Sequence, residues 1–290
     1  SPPKELPLED EYKKKTLITP QDISKFRQWM ETQPHLPEAI TDMDLILTYH
    51  CCNRSTEVAK QVLDLHYTLR TLFTTLFKNR LADENLLLPL ETRAYDESKI
   101  LYCRLLDYDV KNFVFSEAIR SVLMVIDLWQ YLEGTWPGLV IIIDFDKVSL
   151  SHVARLDIQT VQQFLYYLQE AMLVKLKGLH FMNAPSFMDK IMLILRPFMK
   201  RELLDMLVFH QVGSRTLDKY IPMEALPKEA GGQNMTFDTA RVLAKVRSSG
   251  DFYTNENKKR VTESARPGKP KTITDIFGGI EGSFKKLDID

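Results

Sequence analysis

The chain has 290 residues, of which 44% are hydrophobic and 27% charged, and this composition is typical of a globular protein with a buried core. Its formal net charge of −1 argues against a nucleic-acid-binding protein, which needs an excess of basic residues. No apolar run reaches the roughly 18–20 residues of a membrane-spanning helix, residues 1–8 lack the apolar core of a signal peptide, and the three cysteines lack disulfide-framework spacing. We therefore expect a cytoplasmic protein that associates with membranes only peripherally.

Residues 19–77 have apolar side chains at helical spacing. Thr19 followed by Pro20 has the pattern of an N-cap and first helical residue, and Asp42 or Asp44 begins a second helix. A third helix is predicted over residues 56–77. These helices indicate a helical N-terminal subdomain within residues 1–80.

Strand and helix patterns alternate after residue 100. Residues 139–145 form an uninterrupted apolar run rich in β-branched side chains, which is typical of a strand buried on both faces of a parallel sheet. The predicted strands cover residues 100–106, 139–145, 178–183 and 207–212, and the predicted helices cover 116–133, 156–177 and 186–205. This order predicts an α/β domain over residues 90–247, with a mostly parallel sheet covered by helices.

One more helix is predicted over residues 238–246. Residues 248–272 are polar and basic, which favours an extended chain. Apolar residues return at Ile276, Phe277, Ile280, Phe284 and Leu287. We expect the tail, residues 248–290, to be extended and to pack back on the preceding domain.

Enzyme motifs are missing from the sequence. It contains no GxxxxGK[ST] phosphate loop, no GxGxxG turn after a strand and no GxSxG hydrolase elbow. Asp144 and Asp146 could form a carboxylate pair, although a strand end that caps a turn explains them more simply. His50, Cys51 and Cys52 are adjacent, have no partner pair at zinc spacing and would diverge around a helix. We therefore expect no catalytic residue, no metal site and no cofactor.

The helix predicted to begin near residue 186 is apolar over an unusually wide arc. Phe187, Ile191, Ile194 and Phe198 form one stripe, and four neighbouring methionine and leucine side chains widen it to about 160°. Burial in a large core is one explanation of this width. The other is a helix that covers a cavity on one side and meets a membrane or protein on the other. On the second hypothesis, a cavity lies between this helix and the sheet face that carries Ile141 or Ile143.

Four blocks in order make the chain resemble the CRAL-TRIO family between residues 19 and 232. The blocks are GLVIIIDFD at 138–146, VKLKGLHFMNAP at 174–185, LRPFM at 195–199 and YIPMEALPKEAGG at 220–232. Residues 268–271 and 282–287 are similar to the tails of insect members. The resemblance implies a helical domain, then an α/β lipid-binding domain whose apolar pocket is closed by a mobile helix.

The resemblance also implies functional residues. Ser121 matches a small polar position that faces the ligand, and Lys175 and Lys177 match a pair that contacts phosphoinositide headgroups. The basic motif of the family's N-terminal domain is replaced by TYHCC at residues 48–52. A solvated helix end is an equally good explanation of the two lysines. The candidate ligand-binding residues are Tyr102, Ser121, Leu139, Ile141, Ile143, Leu156, Phe164, Tyr167, Leu168, Leu176, Leu179, Phe187, Ile191, Ile194 and Phe198.

These observations predict a monomeric carrier that moves a small hydrophobic lipid between membranes. The resemblance implies a tocopherol, retinoid, carotenoid or similar isoprenoid as ligand, and an anionic, phosphoinositide-containing membrane surface as a transient partner. The alternative is a protein-interaction or phosphoinositide-regulated signalling module on the same fold.

Overall fold

The computed structural model describes residues 2–77, 85–232 and 239–278. The chain begins with four helices, α1 (Leu8–Tyr12), α2 (Pro20–Glu31), α3 (Asp42–Cys51) and α4 (Thr56–Leu72). Capping boxes fix the starts of α2 and α3, because Thr19 pairs with the backbone and side chain of Asp22, and Thr41 does the same with Asp44. The predicted N-terminal helices are therefore present, although α4 ends five residues earlier than expected.

The sheet has five strands in the order β1 (Asn85–Leu90), β2 (Lys99–Leu105), β3 (Leu139–Asp144), β4 (Leu176–Ala184) and β5 (Leu207–Gln211). Strands β2 to β5 pair in parallel, and β1 pairs antiparallel with β2. The mostly parallel α/β fold is thus confirmed. The sequence did not predict β1, which contains Pro89; an edge strand tolerates a residue that cannot donate to the sheet.

Strand β3 is buried on both faces, as its sequence predicts. Ile141 belongs to the main hydrophobic core, together with Leu101 of β2 and Leu179 of β4. Val140 and Ile142 point the other way, into a second cluster that the segment after β5 covers with Leu217 and other apolar residues. The sheet therefore separates two apolar layers.

Helices pack on the first of these layers. They are α5 (Phe115–Glu133), α6 (Leu150–Val153), α7 (Ile158–Glu170), α8 (Met188–Leu195) and α9 (Arg201–Asp205). The single helix expected over residues 186–205 is wrong, because a 3-10 turn at Arg196–Phe198 separates α8 from α9. Pro197 has no N–H and would clash with the preceding turn, so the α-helix ends before it.

The tail is partly helical where an extended chain was expected. Helix α10 (Thr239–Arg247) is followed by α11 (Gly250–Asn257), which buries Phe252 and Tyr253. The Tyr253 hydroxyl donates a hydrogen bond of 2.8 Å to the backbone carbonyl of Met124. This apolar pair gives α11 a surface to pack on, which the polar composition of the segment obscured.

The chain after α11 lies against the N-terminal helices. Lys259 Nζ is 2.8 Å from a carboxylate oxygen of Asp44, and the Phe277 ring stacks on that of Phe73 with centroids 5.8 Å apart. The apolar residues Ile280, Phe284 and Leu287 lie outside the described residues. Within residues 2–77, 85–232 and 239–278, no helix is both long and apolar enough to cross a membrane.

Candidate ligand-binding cavity

A cavity of about 210 Å³ lies between the sheet and helices α5, α7 and α8. Its floor is formed by alternate residues of three strands, because every second side chain of a strand points to the same face. These floor residues are Cys103, Leu105, Ile141, Ile143, Leu179 and Phe181. Helix α5 contributes Ile119 and Val122 to the wall, and α8 contributes Ile191 and Leu195.

The lining of the cavity is almost entirely apolar, which determines what it can hold. Apolar cavities of roughly 150 Å³ stay dry and bind benzene-sized molecules, because water finds too few hydrogen-bond partners in them. A cavity of about 210 Å³ has room for a small apolar molecule or for one end of a longer one.

Nearly half of the candidate residues border this cavity. Their elements bring together the middle of β3 and β4, one face of α7 and the inner face of α8. These residues are Ile141, Ile143, Leu156, Phe164, Leu168, Leu179 and Ile191.

The other candidates do not border the cavity. Tyr102 is next to Cys103 in β2, so its side chain points to the opposite face of the sheet from the cavity. There its hydroxyl donates a hydrogen bond to Asp144. Tyr167 lies on the face of α7 that meets α4, and its hydroxyl accepts a hydrogen bond of 2.9 Å from Arg70. Ser121 is buried, and its hydroxyl donates to the backbone carbonyl of Glu117 at 3.0 Å, one turn earlier in α5.

The remaining candidates lie outside the cavity because they are at the ends of strands or on and around the interrupted helix. Leu139 and Leu176 begin β3 and β4; Leu139 is buried in the main core, and Leu176 borders a surface cleft. Phe187 is the residue before α8, and Phe198 belongs to the 3-10 turn. Ile194 packs against the core from α8 without reaching the cavity.

Several cavity residues were not among the candidates. Successive side chains of a strand point to opposite faces of the sheet, and this rule puts Cys103, Leu105 and Phe181 on the same face as Ile141 and Ile143. Applied to every strand, the rule predicts these three residues as well. Phe113 and Val148 lie outside helices and strands, and no periodic pattern identifies them.

Three polar residues border the cavity, Arg104, Asp144 and His152. Strand alternation directs the side chains of Arg104 and Asp144 to the opposite face of the sheet, where Tyr102 lies. Asp144 accepts hydrogen bonds from Tyr102, from Asn183 Nδ2 at 2.8 Å and from the backbone N–H of Asp146 at 3.0 Å. Arg104 is paired with Asp146 at 2.6 Å. Asp144 and Asp146 therefore have structural partners. Among the described residues, no group of three or more His, Cys, Asp or Glu side chains could hold a metal ion.

Helix α8 buries apolar side chains against the cavity and exposes one large apolar side chain to solvent. Ile191 is 3% exposed and faces the cavity, whereas Leu193, two residues later, is 74% exposed. The other exposed positions of α8, Asp189 and Lys190, are charged, so Leu193 is the exception on this surface. We call α8 the lid helix, because it covers the cavity and presents a leucine to solvent.

Lys175 and Lys177 border a surface cleft of about 610 Å³, together with Lys200. We call these three residues the basic cleft. The interpretation of Lys175 and Lys177 as the end of a helix is wrong, because α7 ends at Glu170, Lys175 follows in a loop and Lys177 lies in β4. Burial lowers the pKa of Lys175, and repulsion from Lys177 lowers it further. An anion bound in the cleft would relieve this repulsion.

Two family models match the chain. The model described as the CRAL/TRIO domain matches residues 84–232, which include all five strands, the cavity floor and the lid helix. The model described as a Pinta-like UBA domain matches residues 17–85, which include α2, α3 and α4.

Known proteins are similar to this chain in sequence over half of its length or more. Clavesin-1 of Xenopus laevis is 26% identical over 251 residues, which cover 82% of this chain and 74% of the relative. The human alpha-tocopherol transfer protein-like protein is 29% identical over 146 residues, or 50% of this chain and 43% of that protein. The crystal structure of Sfh5 superposes over 91% of this chain and 96% of its own, with a TM-score of 0.49 and 14% identity. On the match of the CRAL/TRIO model, the chain belongs to the CRAL-TRIO lipid-binding family.

Proposed function

We propose that this protein binds one small hydrophobic lipid in the cavity beneath the lid helix and carries it between membranes. The observation that carries the proposal is the apolar cavity between the sheet and α8, a helix that also presents Leu193 to solvent. We propose that the lipid contacts Ile141, Ile143, Leu156, Phe164, Leu168, Leu179 and Ile191.

The proposed ligand is a tocopherol, retinoid, carotenoid or similar isoprenoid. The nearly complete lack of polar groups in the lining supports a ligand that is mostly hydrocarbon. The name of the human relative, alpha-tocopherol transfer protein-like, supports the same class. A long isoprenoid exceeds a cavity of about 210 Å³, so binding requires α8 to move outward about the turn at Arg196–Phe198.

The energetics of apolar burial explain why the lid must open at a membrane. Burying roughly 500 Å² of apolar ligand surface at about 25 cal/mol per Å² is favourable by on the order of 12 kcal/mol before ordering costs. Release into water is therefore slow. A bilayer offers the ligand an apolar solvent, and an exposed leucine such as Leu193 can enter the interface as the lid opens.

The basic cleft is the proposed contact with anionic lipid. Lys175 and Lys177 lie on one surface with Lys200, which pairs with Glu170. Each lysine close to an anionic membrane contributes about 1 kcal/mol of attraction. The protein would associate peripherally and transiently at this surface. We further propose that the chain is a binding protein and not an enzyme, because the two carboxylates near the cavity have structural partners.

Organic extraction of the purified protein, followed by mass spectrometry, tests the proposal. We expect one apolar lipid per chain. Ala118 borders the cavity and Ala154 is an exposed residue outside its lining, so Ala118→Trp should remove the bound lipid and Ala154→Trp should keep it. A wild-type protein that neither yields a lipid nor takes up added retinol contradicts the proposal and favours the protein-interaction alternative.

A further inference from the structure

We infer that a second pocket of this protein binds a compact anion that carries several phosphate groups. The pocket has a volume of about 990 Å³ and lies between the N-terminal segment, the loop from β1 to β2, the end of α5 and helix α10. We call it the α10 pocket, and Lys15, Arg93, Lys175 and Arg241 are among the residues that border it. It shares no bordering residue with the lipid cavity, so the inference goes beyond the proposed function.

The α10 pocket has a large excess of positive charge. Among the residues that the structure describes, seven lysine or arginine residues and two glutamates border it. The whole chain has a net charge of −1, so this excess is a local feature. Burial, together with the positive charges of Lys175 and Lys14, lowers the pKa of His50 to about 4, and His50 also borders the pocket. The pocket therefore has a positive potential that attracts anions.

Two of the seven cations are neutralised within the protein. Lys99 is buried, and its Nζ lies 2.9 Å from a carboxylate oxygen of Glu133. Lys14 pairs with Glu11 at 2.6 Å. Five of the seven cations therefore remain, and Glu91 is the other carboxylate among the described residues that border the pocket.

The remaining cations are available to a ligand. Arg241 and Lys245 are exposed and lie one turn apart on α10, so they are on the same side of the helix. Arg93 Nη1 is buried without a hydrogen-bond partner, and Arg93 Nη2 lies 3.9 Å from Glu133. Buried donors are usually satisfied, and the oxygens of a phosphate would accept from this guanidinium.

The distribution of these cations indicates the class of ligand. They come from the N-terminal segment, the loop from β1 to β2, the residue before β4 and helix α10. A monovalent anion contacts one or two such groups, whereas an anion with several phosphates can contact most of them at once. The headgroup of a phosphoinositide and a soluble inositol phosphate share this chemistry.

Calorimetric titration with inositol trisphosphate tests the inference. We expect Arg241→Gln together with Lys245→Gln to weaken binding at least tenfold, because each removes a charge-assisted contact. Lys25→Gln together with Lys219→Gln makes the same change in net charge at exposed positions outside the pocket and should weaken binding less than twofold. The affinity of the wild type should fall as the salt concentration rises.

A third double variant separates the α10 pocket from the basic cleft. The two surfaces meet at Lys175, but Lys177 and Lys200 border only the cleft. Lys177→Gln together with Lys200→Gln should therefore keep trisphosphate binding within twofold of wild type. If this variant loses binding and the α10 variant keeps it, the anion binds in the cleft and the inference is wrong. Equal losses in all three double variants would also overturn it.

Vesicles that contain phosphatidylinositol bisphosphate distinguish the two sources of the ligand. Binding of free trisphosphate that depends on Arg241 and Lys245 supports a soluble ligand. Binding of vesicles alone, with the same dependence, supports a lipid headgroup. A wild-type protein that binds neither probe overturns the inference. Retinol binding, measured on the same proteins, should not change in any variant, so its failure in the wild type counts against the proposed function alone.

Discussion

Ile141 at the centre of β3 and Ile191 on α8 border the same cavity, although they belong to elements far apart in the sequence. Ile141 is part of the sheet and is held by parallel neighbours on both sides. Ile191 lies on a helix of eight residues that ends at a proline-containing turn. The floor of the cavity is therefore well supported, and its cover depends on a short helix.

The lid helix offers a matched pair of substitutions. Ile191→Asp places an ionised group in a dry site at a cost of several kcal/mol, so we expect ligand release to accelerate at least tenfold. Leu193→Asp alters an exposed position and should leave release in solution unchanged. Stopped-flow measurement of the retinol off-rate checks both. If Ile191→Asp also abolishes cooperative melting of the ligand-free protein, α8 is part of the core and does not act as a lid.

The basic cleft predicts a salt-dependent membrane interaction. Lys175→Ala together with Lys177→Ala should weaken binding to phosphoinositide-containing vesicles by up to about 2 kcal/mol, or roughly 30-fold, at low salt. Ligand affinity should not change, because neither lysine borders the cavity. A control with the same change in net charge replaces Lys25 and Lys219, two exposed lysines outside the cleft. Equal vesicle binding by both double variants would contradict the membrane role of the cleft.

A buried ion pair joins the N-terminal helices to the lipid-binding domain. Arg70 on α4 is 6% exposed, and its guanidinium lies 2.6 Å from the carboxylate of Asp127 on α5. Asp127→Ala leaves that cation without its carboxylate, and we expect the free energy of unfolding to fall by about 3 kcal/mol. Asp205→Ala breaks an exposed pair with Arg201 and should cost at most about 1 kcal/mol. Urea titration measures both, and equal losses would contradict this account of the interface.

Glu256 gives the stability a dependence on pH. Burial and repulsion from Asp44 raise the pKa of Glu256 to about 7, although Lys259 acts in the opposite direction. Because the folded state holds this proton more tightly than the unfolded chain, the contribution of Glu256 to stability is largest below about pH 4.5 and is lost as the pH rises through about 7. Glu256→Gln should remove this loss, so the difference in unfolding free energy between variant and wild type should grow in favour of the variant between pH 5 and 8. A difference independent of pH would show that Glu256 does not titrate in this range.

The sequence predicted the elements whose signals are local. The cap at Thr19 and the apolar run of β3 appear where expected, because hydrogen bonding within a few residues and burial on both faces leave direct marks in the sequence. The strand β1 and the helix α11 were missed, because each depends on partners from distant parts of the chain. Pro89 weakened the first signal, and polar neighbours around Phe252 concealed the second.

The cavity was harder to predict than the fold. Helical periodicity puts Ile191 on the side of α8 that borders the cavity, but the same periodicity runs on to Phe198, beyond the end of α8 at Leu195. The candidate Tyr102 lies in β2 on the opposite face from Cys103, which borders the cavity. The residues from loops, such as Phe113 and Val148, come together only through the tertiary fold, and no pattern along the chain links them.

Photolabelling with a diazirine-bearing retinoid tests the central claim most directly, because it identifies the residues that surround the bound lipid. After irradiation and peptide mapping, we expect the label on segments that border the cavity, including those around Ile141, Leu165 and Ile191, and competition by unlabelled retinol. Label confined to exposed apolar positions such as Leu193 and Val212, or unaffected by competitor, would contradict a lipid held beneath the lid helix.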